Sequence, residues 1–180
     1  MPHATRRSVL SGAAVTGAAA LSAAGYTAAP AHAGKPDSVR LTVLGTTDLH
    51  GNVFNWDYYK NAEFANSAGN EIGVAKVKTL IDAVREERRG EPILTIDAGD
   101  TIQGTPLAYY YARIDPITEG AIHPMARAMN LVGYDAAALG NHEFNYGIDT
   151  IRKFEEQVNF PMLGANAVDP STKLPVFPPY

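Results

Sequence analysis

Pro92-Ile93-Leu94-Thr95-Ile96-Asp97-Ala98-Gly99-Asp100-Thr101-Ile102-Gln103-Gly104 decides how this chain is read. A short apolar run passes straight into a glycine turn bearing carboxylates. That is the pattern of a buried strand whose end aims acidic side chains into the crevice above a parallel sheet. Two other stretches repeat it. Val39 to Leu44 alternates like a strand and leads into Thr46-Thr47-Asp48-Leu49-His50-Gly51, and the strand Ala136 to Leu139 leads into Gly140-Asn141-His142-Glu143-Phe144. Asp, His and Asn at strand ends are oxygen and nitrogen donors for divalent metals, so the three together read as half of a two-metal hydrolase site.

Helical patterns fill the gaps between these strands. Gly73 to Arg89 places Val74, Val77, Leu80, Ile81 and Val84 at helical spacing, with Gly90 as the stop. A second helix runs from His123 to Val132 and ends at Gly133; a third covers Ile148 to about Val158, before a strand around Pro161 to Gly164. Residues 52 to 72, rich in Asn, Gly and aromatics, read as a long loop. The alternation gives an α/β fold, a mostly parallel sheet with flanking helices. Phe54, Trp56, Tyr58 and Tyr59 either line a cleft or pack the loop onto the domain, the commoner use of such a cluster.

The start of the chain has a different character. Arg6-Arg7, an Ala/Gly-rich run to about Gly25, and Ala31-His32-Ala33 make residues 1–33 a twin-arginine-type signal peptide. Residues 34–38 are then a linker, and residues 39–180 the domain. The reading implies an exported protein, periplasmic or extracellular. A stable membrane anchor fits less well, because the run is built from Ala, Gly, Ser and Thr rather than Leu, Ile and Phe. The chain has no cysteine, so no disulfide framework is available. The leader holds two of the fifteen basic residues and none of the nineteen acidic ones, which leaves the remainder at −6. That charge disfavours a nucleic acid duplex as partner. If phosphate esters are the substrate, bound metal must supply the positive charge.

Each motif residue also has a plainer reading. Asp48 and His50 lie two apart, so in an extended segment both point to one side and can share an ion; alone, Asp-x-His is equally a solvated turn. Asp100 can offer one carboxylate oxygen to each of two ions, although Gly-Asp is a common turn. Asn141 can bind an ion without adding charge, or simply cap a helix. His142 can donate a proton or charged hydrogen bond to phosphate oxygens, but a lone histidine is more often structural. Glu143 reads as a source of supporting hydrogen bonds, since another carboxylate on the ions would weaken their Lewis acidity.

At these spacings the residues resemble the calcineurin-like metallophosphoesterases, and within them the 5'-nucleotidase group. Trp56-Asp57-Tyr58-Tyr59-Lys60, Gly99 to Ala108, Ile122-His123-Pro124 and Gly140 to Gly147 are similar to the bifunctional 2',3'-cyclic-nucleotide 2'-phosphodiesterase/3'-nucleotidase branch. The resemblance implies an α/β/β/α sandwich, here partial, and a dinuclear centre of Zn, Mn or similar ions. It makes Asp48 and His50 ligands of one metal, Asp100 the bridge, Asn141 a ligand of the second, and His142 the catalytic histidine. Water activated by the ions would attack phosphorus in line. The related 5'-nucleotidases carry Asp three residues after that histidine, where this chain has Asn145; the cyclic-phosphodiesterase branch is expected to carry Asn. A neutral amide can orient the imidazole without stabilising its cation as a carboxylate would.

Two ions sharing a bridge need about seven ligand bonds even at four-coordination. The four candidates supply five, counting Asp100 twice. The family's further Gly-His and Gly-His-x-His motifs are absent, and the remaining histidines are His3 and His32 in the leader and His123 before a proline, where a structural role at a helix start is expected. The chain is therefore read as an N-terminal fragment of a longer enzyme, lacking the C-terminal nucleotide-binding domain and weakly active or inactive alone. Two other readings stay open: a 5'-nucleotidase or UDP-sugar hydrolase, and an inactive exported binding module.

Overall fold

In the computed structural model the described residues are 38–180. The signal-peptide reading, with Arg6, Arg7, His3 and His32, lies outside them, as do residues 34–37 of the linker. In chain order the elements are β1 (Thr42–Thr46), a small hairpin of β2 (Trp56–Asp57) and β3 (Ala62–Glu63), α1 (Val74–Glu87), β4 (Ile93–Asp97), α2 (Pro106–Arg113), α3 (Pro124–Val132), β5 (Ala136–Ala138), α4 (Ile148–Glu155) and β6 (Met162–Leu163). Short 3-10 turns occupy Ile117–Glu119 and His142–Tyr146.

The main sheet has the order β1-β4-β5-β6, and every pairing in it is parallel. Thr46 pairs with Asp97, and Asp97 with Ala137, so β1, β4 and β5 end side by side. This register delivers the three motif loops to one edge of the sheet. Because strand order follows chain order, right-handed crossovers place the connecting helices on a single face. Burial follows that rule. Thr95, Asp97, Ala137 and Met162 are buried on the helix side, whereas Val43 and Leu94 on the other side are 53% and 37% exposed.

The core between sheet and helices joins Val74 and Ile81 of α1 to Met125, Met129 and Val132 of α3, and to Phe154 of α4 and Phe160. Gly133 closes α3 in the left-handed conformation, its N–H returning to Met129 O at 3.0 Å. Arg85 of α1 reaches across to the same helix end. Its guanidinium donates to the Val132 and Gly133 carbonyls and to Thr95 Oγ1, tying α1, α3 and β4 together where a cation also favours the negative end of the α3 dipole.

Several expected boundaries move. β1 starts at Thr42 instead of Val39, because the ladder begins only where Thr42 N–H finds Pro92 O opposite, and it runs on through Gly45 to Thr46. Leu80 is 69% exposed, since at about 100° per residue it falls off the stripe made by Val74, Val77, Ile81 and Val84. α4 stops at Glu155 rather than near Val158. Gln157 is instead held against the start of α3, accepting from His123 N–H and donating to Ala121 O. The loop 52–72 contains the β2–β3 hairpin. Helix α2 is an element beyond those the sequence patterns predict; Thr105 caps it by accepting from Ala108 N–H and Pro106 opens it.

His123 takes the structural role expected at the start of α3. Its Nδ1 accepts from Met125 N–H at 3.1 Å, and the ring lies buried against Phe154 and Tyr111. Burial pushes the imidazole down to about 4.

Candidate metal centre

Beyond the paired strands, the first and second motif loops remain zipped together. Asp48 N–H donates to Gly99 O, His50 N–H to Asp100 O and Gly51 N–H to Thr101 O, at 3.0, 2.9 and 2.8 Å. The segment is therefore not the extended one that the two-residue spacing of Asp48 and His50 predicts. Asp48, His50 and Asp100 all adopt positive φ, at 55°, 47° and 62°. Left-handed backbone at non-glycine residues costs roughly 1 kcal/mol or more each and collects where structure over-determines it. Here it turns three side chains toward one point: a donor atom from each lies within 4.8 Å of the others.

His50 is oriented by a backbone carbonyl. Its Nδ1–H donates to Gln103 O at 2.7 Å, so the neutral ring keeps a lone pair on Nε2, which sits 3.6 Å from Asp48 Oδ1. Gly104 lies flat against the same ring, where a Cβ would come within 2.8 Å of His50 Cβ. A histidine whose far nitrogen donates to a carbonyl is the usual form of a metal ligand. Two carboxylates and a bare imidazole nitrogen, with no Lys or Arg paired to Asp48 or Asp100 among the described residues, are a donor set suited to a divalent cation.

The third loop docks from the other side. Gly140 and His142 both touch Asp100, His142 through a backbone N–H donated to Oδ1 at 2.8 Å, which puts Asn141 between two neighbours of the carboxylate. Asn141 occupies the cap position of the turn His142–Tyr146, yet its side chain makes no capping bond. The His142 ring meets the His50 ring edge to face, with centroids 5.4 Å apart. Asn145 Nδ2 is 3.2 Å from His142 Nδ1; an amide NH2 can only donate, so the proton of neutral His142 belongs on Nε2.

Two buried carboxylates lie beneath these loops. Asp97 accepts from Thr46 Oγ1, Gly99 N–H and Thr101 Oγ1. Burial pushes its carboxyl above the usual range against those hydrogen bonds, and the Glu143 charge pushes the same way. Glu143, with 0% exposure, accepts from Asp100, Thr101 and Gly140 N–H groups. Asp97 belongs to the second motif but had no assigned part, and the Gln103 carbonyl could not have been found from sequence because any residue supplies one.

Of the aromatic cluster, Trp56 and Tyr58 are half-buried, whereas Phe54 and Tyr59 are 61% and 82% exposed. Tyr59, Tyr109 and Tyr146 border a groove that passes Gln103 and Gly104 beside His50.

The family model described as calcineurin-like phosphoesterase matches residues 41–178, nearly all of the described chain. The chain belongs to the calcineurin-like phosphoesterase family. Calcineurin-like phosphoesterases use divalent metals, and Asp48, His50 and Asp100 form a candidate site for one. A 2',3'-cyclic-nucleotide 2'-phosphodiesterase/3'-nucleotidase from Yersinia enterocolitica is 40% identical over 143 residues, covering 79% of this chain and 21% of that protein. A 5'-nucleotidase from Vibrio cholerae is 36% identical over 177 residues, covering 97% of this chain and 28% of the other. The crystal structure of the calcineurin-like phosphoesterase YfkN from Bacillus subtilis matches with a TM-score of 0.68 at 38% identity, over 77% of this chain and 40% of that one. The chain thus spans 21% and 28% of the length of these two curated relatives. No helix among the described residues is long and apolar enough to cross a membrane.

Proposed function

We propose that this chain contributes part of the metal-binding centre of an exported phosphoesterase acting on small nucleotide substrates. Asp48 and His50 would hold one divalent ion, Asn141 a second, and Asp100 both. The observation that carries the reading is the hydrogen bond from His50 Nδ1 to Gln103 O, which leaves Nε2 as a lone pair directed at the two carboxylates. When bound, the ions supply positive charge to the phosphoryl oxygens and make water more acidic.

The protein's own groups do the rest. Asp48, Asp100 and Asn141 fix where the phosphate can sit. His142, proton on Nε2, donates to the oxygen that gains charge as the ester bond breaks. Asn145 holds that tautomer through Nδ1. Its neutrality favours the finer assignment: opening of 2',3'-cyclic nucleotides to 3'-nucleotides, then removal of the 3'-phosphate. The relative from Yersinia enterocolitica carries that name. A 5'-nucleotidase is the second reading, favoured by the longer match to the Vibrio cholerae protein.

Calorimetric titration of the 180-residue chain with Mn2+ and with Zn2+ tests the proposal, beside hydrolysis of 2',3'-cyclic AMP, 3'-AMP and 5'-AMP. Metal binding that is lost in Asp100→Ala, with turnover ordered cyclic AMP and 3'-AMP above 5'-AMP, is the expected result. The ligand count makes slow turnover the expectation. Preference for 5'-AMP would replace the finer assignment by the second reading, and failure to bind either ion would leave an exported binding module.

A further inference from the structure

We propose that Glu143 is a positioning residue that sets the spacing between the two halves of the metal centre, by gripping the backbones of both ligand loops at once. The inference rests on the divalent-metal reading of Asp48, His50, Asp100 and Asn141. Glu143 Oε2 accepts from Asp100 N–H at 2.8 Å and from Gly140 N–H at 2.7 Å, and Oε1 accepts from Thr101 N–H at 2.5 Å. All three donors are backbone groups of the loops that carry Asp100 and Asn141. A core residue kept only for packing would have no reason to select them.

The chemistry requires a carboxylate at this point. A fully buried charge is tolerable only when hydrogen bonds replace its water, and three N–H donors around two oxygens do so. A glutamine offers one oxygen, and its NH2 would face an N–H that has nothing to accept with. The two loops are also in direct contact. A Cβ on Gly140 would fall 2.3 Å from Asp100 Oδ1, so the absence of a side chain lets the loops close to the distance that one carboxylate can span. His142 N–H completes the seam by donating to that same Oδ1. Gly140, Asp100 and His142 are therefore set relative to one another through Glu143, and Asn141 moves with them.

Asp97 provides an internal control. It is buried, holds the same turn through Gly99 and Thr101, and makes its remaining hydrogen bond to Thr46, with none to the Gly140 loop. Loss of Asp97 loosens the Gly99–Thr101 turn against Thr46 of β1; loss of Glu143 separates the Asp100 loop from the Gly140 loop.

The test compares E143Q and D97N in the 180-residue chain, with E143D, which keeps the charge but is one methylene shorter, in case the glutamine variant does not fold. In E143Q or E143D, the Gly140 and Asp100 amides should exchange hydrogen at least about 10-fold faster, and Mn2+ affinity should fall about 10- to 100-fold. D97N should lower the melting temperature as well, yet leave Gly140 exchange unchanged and Mn2+ affinity within about three-fold of wild type. Unchanged Gly140 protection in the Glu143 variants overturns the proposal, as does an equal loss of metal affinity in D97N. Faster Gly140 exchange in a protein whose wild type binds no Mn2+ would uphold the grip between the loops and sink the metal reading instead.

Discussion

His50 and His142 face each other edge to face, 5.4 Å apart, and are equipped for opposite work. His50 donates a hydrogen bond from Nδ1–H to a carbonyl and keeps a bare Nε2; His142 Nδ1 accepts one from an amide N–H, so its neutral ring carries the proton on Nε2. In the proposed function one would bind a cation and the other would donate to an oxygen. The difference lies in a single neighbour on the far side of each ring, an acceptor for one and a donor for the other. His123 supplies a third case: buried, locked as a helix cap, and remote from both tasks.

Removing each ring should separate the roles. His142→Ala should cost the largest factor, about 100- to 10,000-fold in turnover of the cyclic substrate, while Mn2+ affinity measured by calorimetry stays within about two-fold. His50→Ala should do the reverse to binding, weakening Mn2+ by at least about 100-fold. Loss of metal affinity in His142→Ala equal to that in His50→Ala would erase the distinction between them.

His123 governs stability instead. Its pKa is about 4 in the folded protein, against 6.5 when exposed. Below 6.5 the unfolded chain takes up a proton that the native state refuses, so stability present at neutral pH is lost as pH falls toward 4. Denaturant unfolding should reveal a loss of about 2 kcal/mol between pH 7 and pH 5, flattened in His123→Asn, which preserves a cap acceptor but cannot titrate. The smallest expected change is the most pointed. Asn145→Asp should replace the amide donor facing His142 Nδ1 by an acceptor and move the neutral ring's proton to Nδ1. Nitrogen NMR of the imidazole reads the tautomer directly, whether or not the chain turns over.

The sheet was legible because a strand entering a glycine turn leaves a local signature, repeated three times at Asp48, Asp100 and Asn141. The helices were legible in their stripes and glycine stops, at Gly133 above all. What escaped notice depends on partners distant in sequence. Leu80 lies just beyond the edge of the apolar stripe of α1, and the position of α3 and the sheet leaves that edge uncovered. The left-handed turns at Asp48, His50 and Asp100 arise from pairing of loops about fifty residues apart in sequence, so the Asp-x-His spacing pointed to convergence for the wrong backbone reason. Helix α2 was obscured because its start, Thr105-Pro106, reads equally as the end of the motif turn. For Glu143 a supporting part could be read from chemistry alone. Which N–H groups it would take could not.

The order of the sheet has a consequence for how the molecule is made. β1 pairs with β4, β4 with β5 and β5 with β6, so each strand joins the growing edge directly after its predecessor in the sheet. Among the described residues no strand is inserted between two that pair earlier in the chain. A chain emerging from the ribosome can therefore lay down this layer vectorially, each βα unit resting on the one before, and avoid long waits with unpaired edges exposed to aggregation.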